Sequence, residues 1–160
     1  MRVEPELKLE QLMCVWGLVC SMSAIDQEKN NISLFNIIDH ITIPRQVHEQ
    51  SIAAGKLGVL VPIEHEVVLL WRRVIAPSLC DVELNTDMKL SLVDSGGGVL
   101  NEMLTPIKFE SGKRNLRLRV KNNALKVTQA GDYVYRIEVL QPGSDTFTKA
   151  LEIPLLVQIS

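Results

Sequence analysis

An all-β fold, two antiparallel sheets packed as a sandwich, is predicted by three features of this sequence. Short apolar runs alternate their side chains with a period of two, turn residues separate the runs, and helical periodicity is almost absent. The clearest run is 130–140. Tyr133, Tyr135, Ile137 and Val139 fall on one side of an extended chain and Val134, Arg136 and Glu138 on the other, because successive strand side chains point to opposite faces. Ahead of it, Ala130-Gly131-Asp132 forms a turn, since glycine tolerates positive φ and an Asp side chain bonds backbone two residues on. A tyrosine just inside such a strand, here Tyr133 or Tyr135, is how many Greek-key sandwiches tie a corner, the phenol bonding back to the backbone upstream. The runs add up to about eight strands, immunoglobulin-like or a related Greek key.

A chain of 160 residues fits one domain and buries roughly two thirds of its unfolded surface without a staple. Its 46% hydrophobic and 22% charged content excludes disorder as the main state, and a net charge of -2 gives no global attraction to nucleic acid or an anionic membrane. Cys14, Cys20 and Cys80 are odd in number and lack the close doublets of zinc sites, so they read as free buried thiols. The apolar run from Leu12 to Cys20 is too short to span a bilayer and follows Glu4, Glu6 and Glu10 instead of a basic segment. No membrane span is expected, and the setting is reducing and cytoplasmic.

Residues 1–10, polar and interrupted by Pro5, read as an N-terminal arm, and 11–160 as a single β-sandwich domain. Leu12 to Ala24 is a strand without strict alternation, hence central or covered, with Gly17, Ser21 and Ser23 marking a bulge or a close neighbour. The polar stretch 26–31 turns it into a hairpin whose second arm, Ile32 to Ile43, breaks parity between Leu34 and Ile37, which implies a bulge or a bend, and ends at Pro44. Arg45 to Val61 is irregular, read as a connector with a short helix or a crossover, a mobile functional loop being the alternative.

Val67 to Ile75 is a strand with Trp71 as a core anchor. Its adjacent Arg72 and Arg73 cannot face the same way, so one must find a buried partner or end at the sheet edge. After the turn Ala76-Pro77-Ser78, Val82 to Val93 leads to the glycines 96–98. These read as a hairpin tip, since no Lys-Ser or Lys-Thr follows to make a phosphate loop. Leu104 to Phe109 is a short or edge strand because of Pro106, Asn115 to Val120 alternates cleanly, and Gln141 to Asp145 makes the last turn. The final strand, Thr146 to Ile159, contains Pro154 and reads as an edge or a bend.

Leu18-Val19-Cys20, then Asp26, Asn31-Ile32-Ser33-Leu34-Phe35 and Ile41-Thr42-Ile43-Pro44, resembles the opening of an uncharacterised bacterial family of small β-sandwich proteins, a domain of unknown function. Gly131-Asp132-Tyr133 is similar to that family's glycine, any residue, aromatic motif, whereas Ser21 stands where an acidic residue often follows the cysteine. The resemblance implies a β-sandwich and no assigned activity, cofactor or catalytic residue.

His40, His48 and His65 are scattered without a nucleophile elbow, so the chain reads as non-enzymatic, with no catalytic, cofactor-binding or metal-ligating residue and no small-molecule substrate assigned. His65, between Glu64 and Glu66, reads as a solvated strand end sooner than a metal ligand, and His40 as a satisfied sheet histidine. Asp26, Asp94, Asp132 and Asp145 come singly, which suits turns better than calcium.

The basic segment Lys108, Lys113, Arg114, Arg117, Arg119, Lys121 and Lys126 contains Glu110 as its one acid. Arg117, Arg119 and Lys121 share strand parity, and with Lys113 and Arg114 they form a candidate anion-binding face. Its competitor is a solvated face neutralised across the strands by Glu64, Glu66 or Glu83. Few aromatics interleave, so nucleic acid is possible but not favoured. The function expected is a non-enzymatic protein–protein interaction or scaffold module, binding another protein or itself. The alternative is a module for an anionic ligand, either nucleic acid or a phosphorylated or acidic partner, held on the basic strand face.

Overall fold

The computed structural model describes residues 11–74 and 81–160, and these are all-β. The arm at 1–10, the Ala76-Pro77-Ser78 turn and Cys80 lie outside the described residues. In chain order the strands are β1 (Gln11–Asp26), β2 (Asn31–Ile37), β3 (His40–Ile43), β4 (Val59–Val61), β5 (His65–Val74), β6 (Leu84–Val93), β7 (Val99–Phe109), β8 (Asn115–Asn122), β9 (Leu125–Val127), β10 (Gly131–Leu140) and β11 (Phe147–Ile159). They form a four-stranded sheet in the order β2-β1-β5-β8, a five-stranded sheet in the order β3-β11-β10-β6-β7, and the small pair β4-β9. The three strands beyond the expected eight or so are β3, β4 and β9, each of three or four residues.

The alternating stretch becomes β10, in the middle of the five-stranded sheet. Tyr133, Tyr135, Ile137 and Val139 are buried there, while Val134, Arg136 and Glu138 are half-buried on the other face. Val19, Val67, Leu69, Trp71 and Val120 of the four-stranded sheet join them in one cluster, so the two larger sheets share a core. Each such side chain contributes roughly 1.5–3 kcal/mol on burial. Gly17 sits at the closest approach: a Cβ there would lie 2.5 Å from Leu69 Cδ2 on the neighbouring strand and 2.7 Å from Leu151 Cδ2 of the other sheet. The register also shifts between Cys14 and Trp16, so β1 has both the bulge and the close neighbour its sequence suggested.

The corner is tied by Tyr133. Its hydroxyl accepts from the backbone N–H of Thr128 at 3.0 Å and of Gln129 at 3.1 Å, and donates to the Gln129 carbonyl at 2.6 Å. Gly131 precedes it at φ 138, where a Cβ would lie 2.7 Å from that of Ser95. Asp94 holds the β6–β7 hairpin tip, accepting from Gly96 and Gly98 N–H at 3.0 and 2.8 Å and from the Thr128 hydroxyl at 2.7 Å. Burial alone would raise its pKa, but these hydrogen bonds hold it below the ordinary aspartate value. The Gln141 amide, in turn, pairs with both backbone groups of Leu12, at 2.7 and 2.8 Å, and so fastens the start of β1 to the end of β10.

Arg72 and Arg73 separate as parity demands. Arg73 is buried, donates to the Val82 carbonyl at 2.7 Å and lies over the Phe109 ring, while Arg72 stays exposed against Asn115 at 3.0 Å.

Four expectations are corrected. The arm Ile32 to Ile43 divides at Asn36, whose φ of 52 is left-handed, giving β2 to one sheet and β3 to the other. Its second half pairs with β11 in parallel, so the sheets are not wholly antiparallel. By contrast, Arg45 to Val61 does contain the short helix expected of it, α1 (Arg45–Ala54), which starts after Pro44 and stops at Gly55 and is followed by a 3-10 turn and β4. Pro106 does occupy an edge strand, but Pro154 lies in β11, second from the edge. It costs no ladder bond there: Leu156 N–H points to Asp39 on the β3 side, so the Pro154 nitrogen, two residues earlier, faces the same side before β3 begins.

The fourth concerns His65, which is buried instead of solvated. Its Nδ1–H donates to the Ile63 carbonyl at 2.8 Å and its Nε2 accepts the Tyr135 hydroxyl at 2.6 Å, an arrangement that suits the neutral ring. Burial lowers the imidazole pKa, partly opposed by the Ile63 bond, and raises that of the Tyr135 phenol.

Two outcomes follow. Tyr133→Phe strands the Thr128 and Gln129 backbone groups and costs about 1–3 kcal/mol in a denaturant titration, whereas an unchanged midpoint would refute the corner. Because the folded His65 pKa is below its ordinary 6.5, the unfolded chain binds a proton that the folded one does not. Its contribution to stability is full above about pH 6.5 and declines as pH falls below that value, until the folded ring also titrates. In His65→Gln that part of the stability–pH slope disappears, as chemical denaturation between pH 4 and 8 would measure.

Candidate functional site

The four-stranded sheet is apolar on both faces. Val67, Leu69 and Trp71 of β5 turn to the shared core, yet Val68, which points the other way, is also fully buried, and Leu70 is half-buried. What covers this second face is the sheet itself. β2 and β8 lie at opposite edges, but the β1–β2 turn meets β8: Arg117 Nη2 donates to the Asn30 carbonyl and, at 2.9 Å, to the Asn30 side-chain oxygen. Further along, Arg119 reaches the Ser23 hydroxyl at 3.4 Å, the Ser23 hydroxyl donates to Glu66, and Lys121 stands 3.9 Å from Glu66. The sheet is rolled into a half-barrel, latched along β8.

Beside the Asn30–Arg117 contact opens a cleft of about 950 Å³. Trp16, Ile25, Ile32, Leu70 and Leu116 give apolar walls, and Lys108, Lys113 and Arg117 stand around them with Glu110 as the acid. Lys108 is 3.6 Å from Glu83, and that pairing together with the Asn85 side chain holds the Glu83 carboxyl below its ordinary pKa, Asn85 being the larger cause. Asn30, in a left-handed turn at φ 55, forms one side of the opening. One nitrogen of Arg117, Nη1, is shielded from solvent and has no hydrogen-bond partner among the described residues.

Of the five residues singled out from sequence, Arg117 and Lys113 line this cleft. Arg119 and Lys121 lie further along β8, with Ser23 and Glu66 as their neighbours. Arg114 sits before β8, where its carbonyl accepts the Arg73 N–H at 2.8 Å. Glu66 and Glu83 do meet lysines across the strands, as the competing reading of the stripe required. Trp16, Ile25 and Ile32 were missed as site residues. The signal available for them was the lack of alternation in β1, which announced a second apolar face but not what lies over it.

On the other side of the β1–β2 ribbon, Met22, Phe35 and Ile37 are 53%, 47% and 64% exposed. Phe35 and Ile37 alternate with Leu34 and share a face, and Met22 pairs directly with Phe35. No group of three or more metal-ligating side chains occurs among the described residues, and no helix among them is long and apolar enough to cross a membrane.

No family model matches the chain, and no curated protein matches it. Among solved structures, the chain is similar to dimeric latent PorU from Porphyromonas gingivalis, at 17% identity and a TM-score of 0.39. The match covers 64% of this chain and 9% of that one, and a likeness so loose supports no statement about role.

Proposed function

We propose that the protein is a non-enzymatic interaction or scaffold module, an immunoglobulin-like or related Greek-key sandwich that engages another protein, or a second copy of itself, along β2. The observation that carries this reading is an unguarded edge. β2 is the outermost strand of its sheet, so one row of its backbone N–H and C=O groups has no strand beside it among the described residues. Proteins protect such edges with charge, proline or brevity. β7 has Glu102, Pro106 and Lys108, β8 has Arg117, Arg119 and Lys121, and β3 is only four residues long. β2, Asn31-Ile32-Ser33-Leu34-Phe35-Asn36-Ile37, has none of these and displays Phe35 and Ile37. Addition of a partner strand satisfies the backbone row while the exposed side chains supply apolar contact and selectivity. A cytoplasmic setting fits the thiols: Cys14 and Cys20 are unpaired, and burial pushes the Cys14 thiol up to about 11, away from the reactive thiolate.

The competing assignment, a polyanion spread along Arg117, Arg119 and Lys121, is weakened because a ligand there has to displace Asn30, Ser23 and Glu66 from the same cations.

Phe35→Lys and Ile37→Lys, both at exposed positions, should leave the melting temperature within a few degrees of the parent while abolishing capture of a stoichiometric protein from native extract or self-association by light scattering. Capture by both variants equal to that of the parent, at low and high salt, would remove the edge as the site.

A further inference from the structure

We propose that the cleft beside the Asn30–Arg117 contact binds a small organic anion: a carboxylate or phosphate ester on an aromatic or branched apolar body. The inference is independent of the β2 edge, because Ile32, which lines the cleft, and Phe35 and Ile37, which face outward, lie on opposite faces of β2.

Size, lining and charge point to this class together. A cleft of about 950 Å³ is of the scale that takes one small molecule. Trp16, Ile25, Ile32, Leu70 and Leu116 offer an apolar bed, with an indole against which a flat or branched body can lie. Three cations stand around it against Glu110, and only Lys108 has a carboxylate within ion-pair distance among the described residues. Neither Lys113 nor Arg117 has one.

Arg117 is the telling group. Asn30 satisfies one of its terminal nitrogens with two neutral oxygens, while Nη1 is shielded from water and lacks any acceptor. A guanidinium with a desolvated, unmatched donor is unfavourable by itself, and an oxyanion in the adjoining cleft supplies both the countercharge and, after a small adjustment of the side chain, the missing acceptor. A neutral apolar ligand leaves that deficit in place. A bare inorganic anion leaves the apolar walls wet.

The test uses the full chain and the two indole N–H resonances of Trp16 and Trp71, distinguished by Trp16→Phe. Titration with 2-naphthoate and with 2-naphthyl phosphate should shift the Trp16 resonance saturably while the buried Trp71 resonance stays in place. Saturation by one anion alone identifies the headgroup; saturation by both leaves the shared chemistry as the determinant. The neutral 2-naphthamide should bind at least about tenfold more weakly, and Arg117→Gln should weaken either anion by a similar factor. Lys113→Gln, at an exposed turn position, should weaken binding about threefold, and Glu110→Gln should tighten it about threefold. The two surface variants decide the matter even where Arg117→Gln loosens the Asn30 latch and fails to fold. Equal affinity for 2-naphthoate and 2-naphthamide, or parental affinity in both Lys113→Gln and Glu110→Gln, would overturn the proposal. So would inorganic phosphate alone reproducing the Trp16 shift at the same concentration, or no saturable shift with either naphthyl anion.

Discussion

A β-sheet that is apolar on both faces has to be covered twice, and most of this structure follows from how that is done. β1 and β5 have hydrophobic side chains on both sides of the pleat. The five-stranded sheet buries one side, through Leu69, Trp71 and Val67 packed with Tyr133, Tyr135 and Ile137. No third layer is present among the described residues for the other, so the sheet rolls onto itself until the β1–β2 turn meets β8. The strand twist common to all sheets provides the sense of rotation, and the bulge between Cys14 and Trp16 provides extra local bending.

The roll changes what the charged residues of β8 do. On a flat sheet Arg117, Arg119 and Lys121 would be a stripe open to solvent and to polyanions. On the rolled sheet they become the row against which the hairpin closes, with Asn30, Ser23 and Glu66 as neighbours. Glu66 illustrates the economy of the arrangement: buried between β1 and β8, it accepts the Ser23 hydroxyl and faces Lys121, so its charge is both hydrogen-bonded and paired. The same closure leaves the cleft on the inside of the ribbon and the apolar strip of β2 on its outside.

Features held by near neighbours in sequence were legible. The phenol of Tyr133 returns to Gln129, Asp94 caps its own turn, and Arg72 and Arg73 must diverge because the pleat alternates. Features that depend on distant partners were not. His65 sits between two glutamates and reads as solvated, but Tyr135, seventy positions away, takes its second nitrogen and the core closes over it. The isoleucine-rich arm 32–43 breaks parity around Asn36, which announces a bend, but nothing local reveals that its halves join different sheets or that the second half runs parallel to β11. Pro154 looked like an edge marker because a proline forbids one hydrogen bond; which side of β11 that bond would serve is set by where β3 begins.

Taken alone, then, the sequence determined the all-β class, most of the hairpin turns, a tyrosine corner at Tyr133 or Tyr135 and the existence of two apolar faces on β1, because alternation and turn chemistry act over a few residues. The tertiary structure decided which strands share a sheet, that the four-stranded sheet closes on itself, and hence that Arg117 and Lys113 join Trp16 and Leu70 around one cleft while Arg119 and Lys121 do not. Curvature of a sheet is a property of how its twist is satisfied by neighbours, and no single strand contains that information.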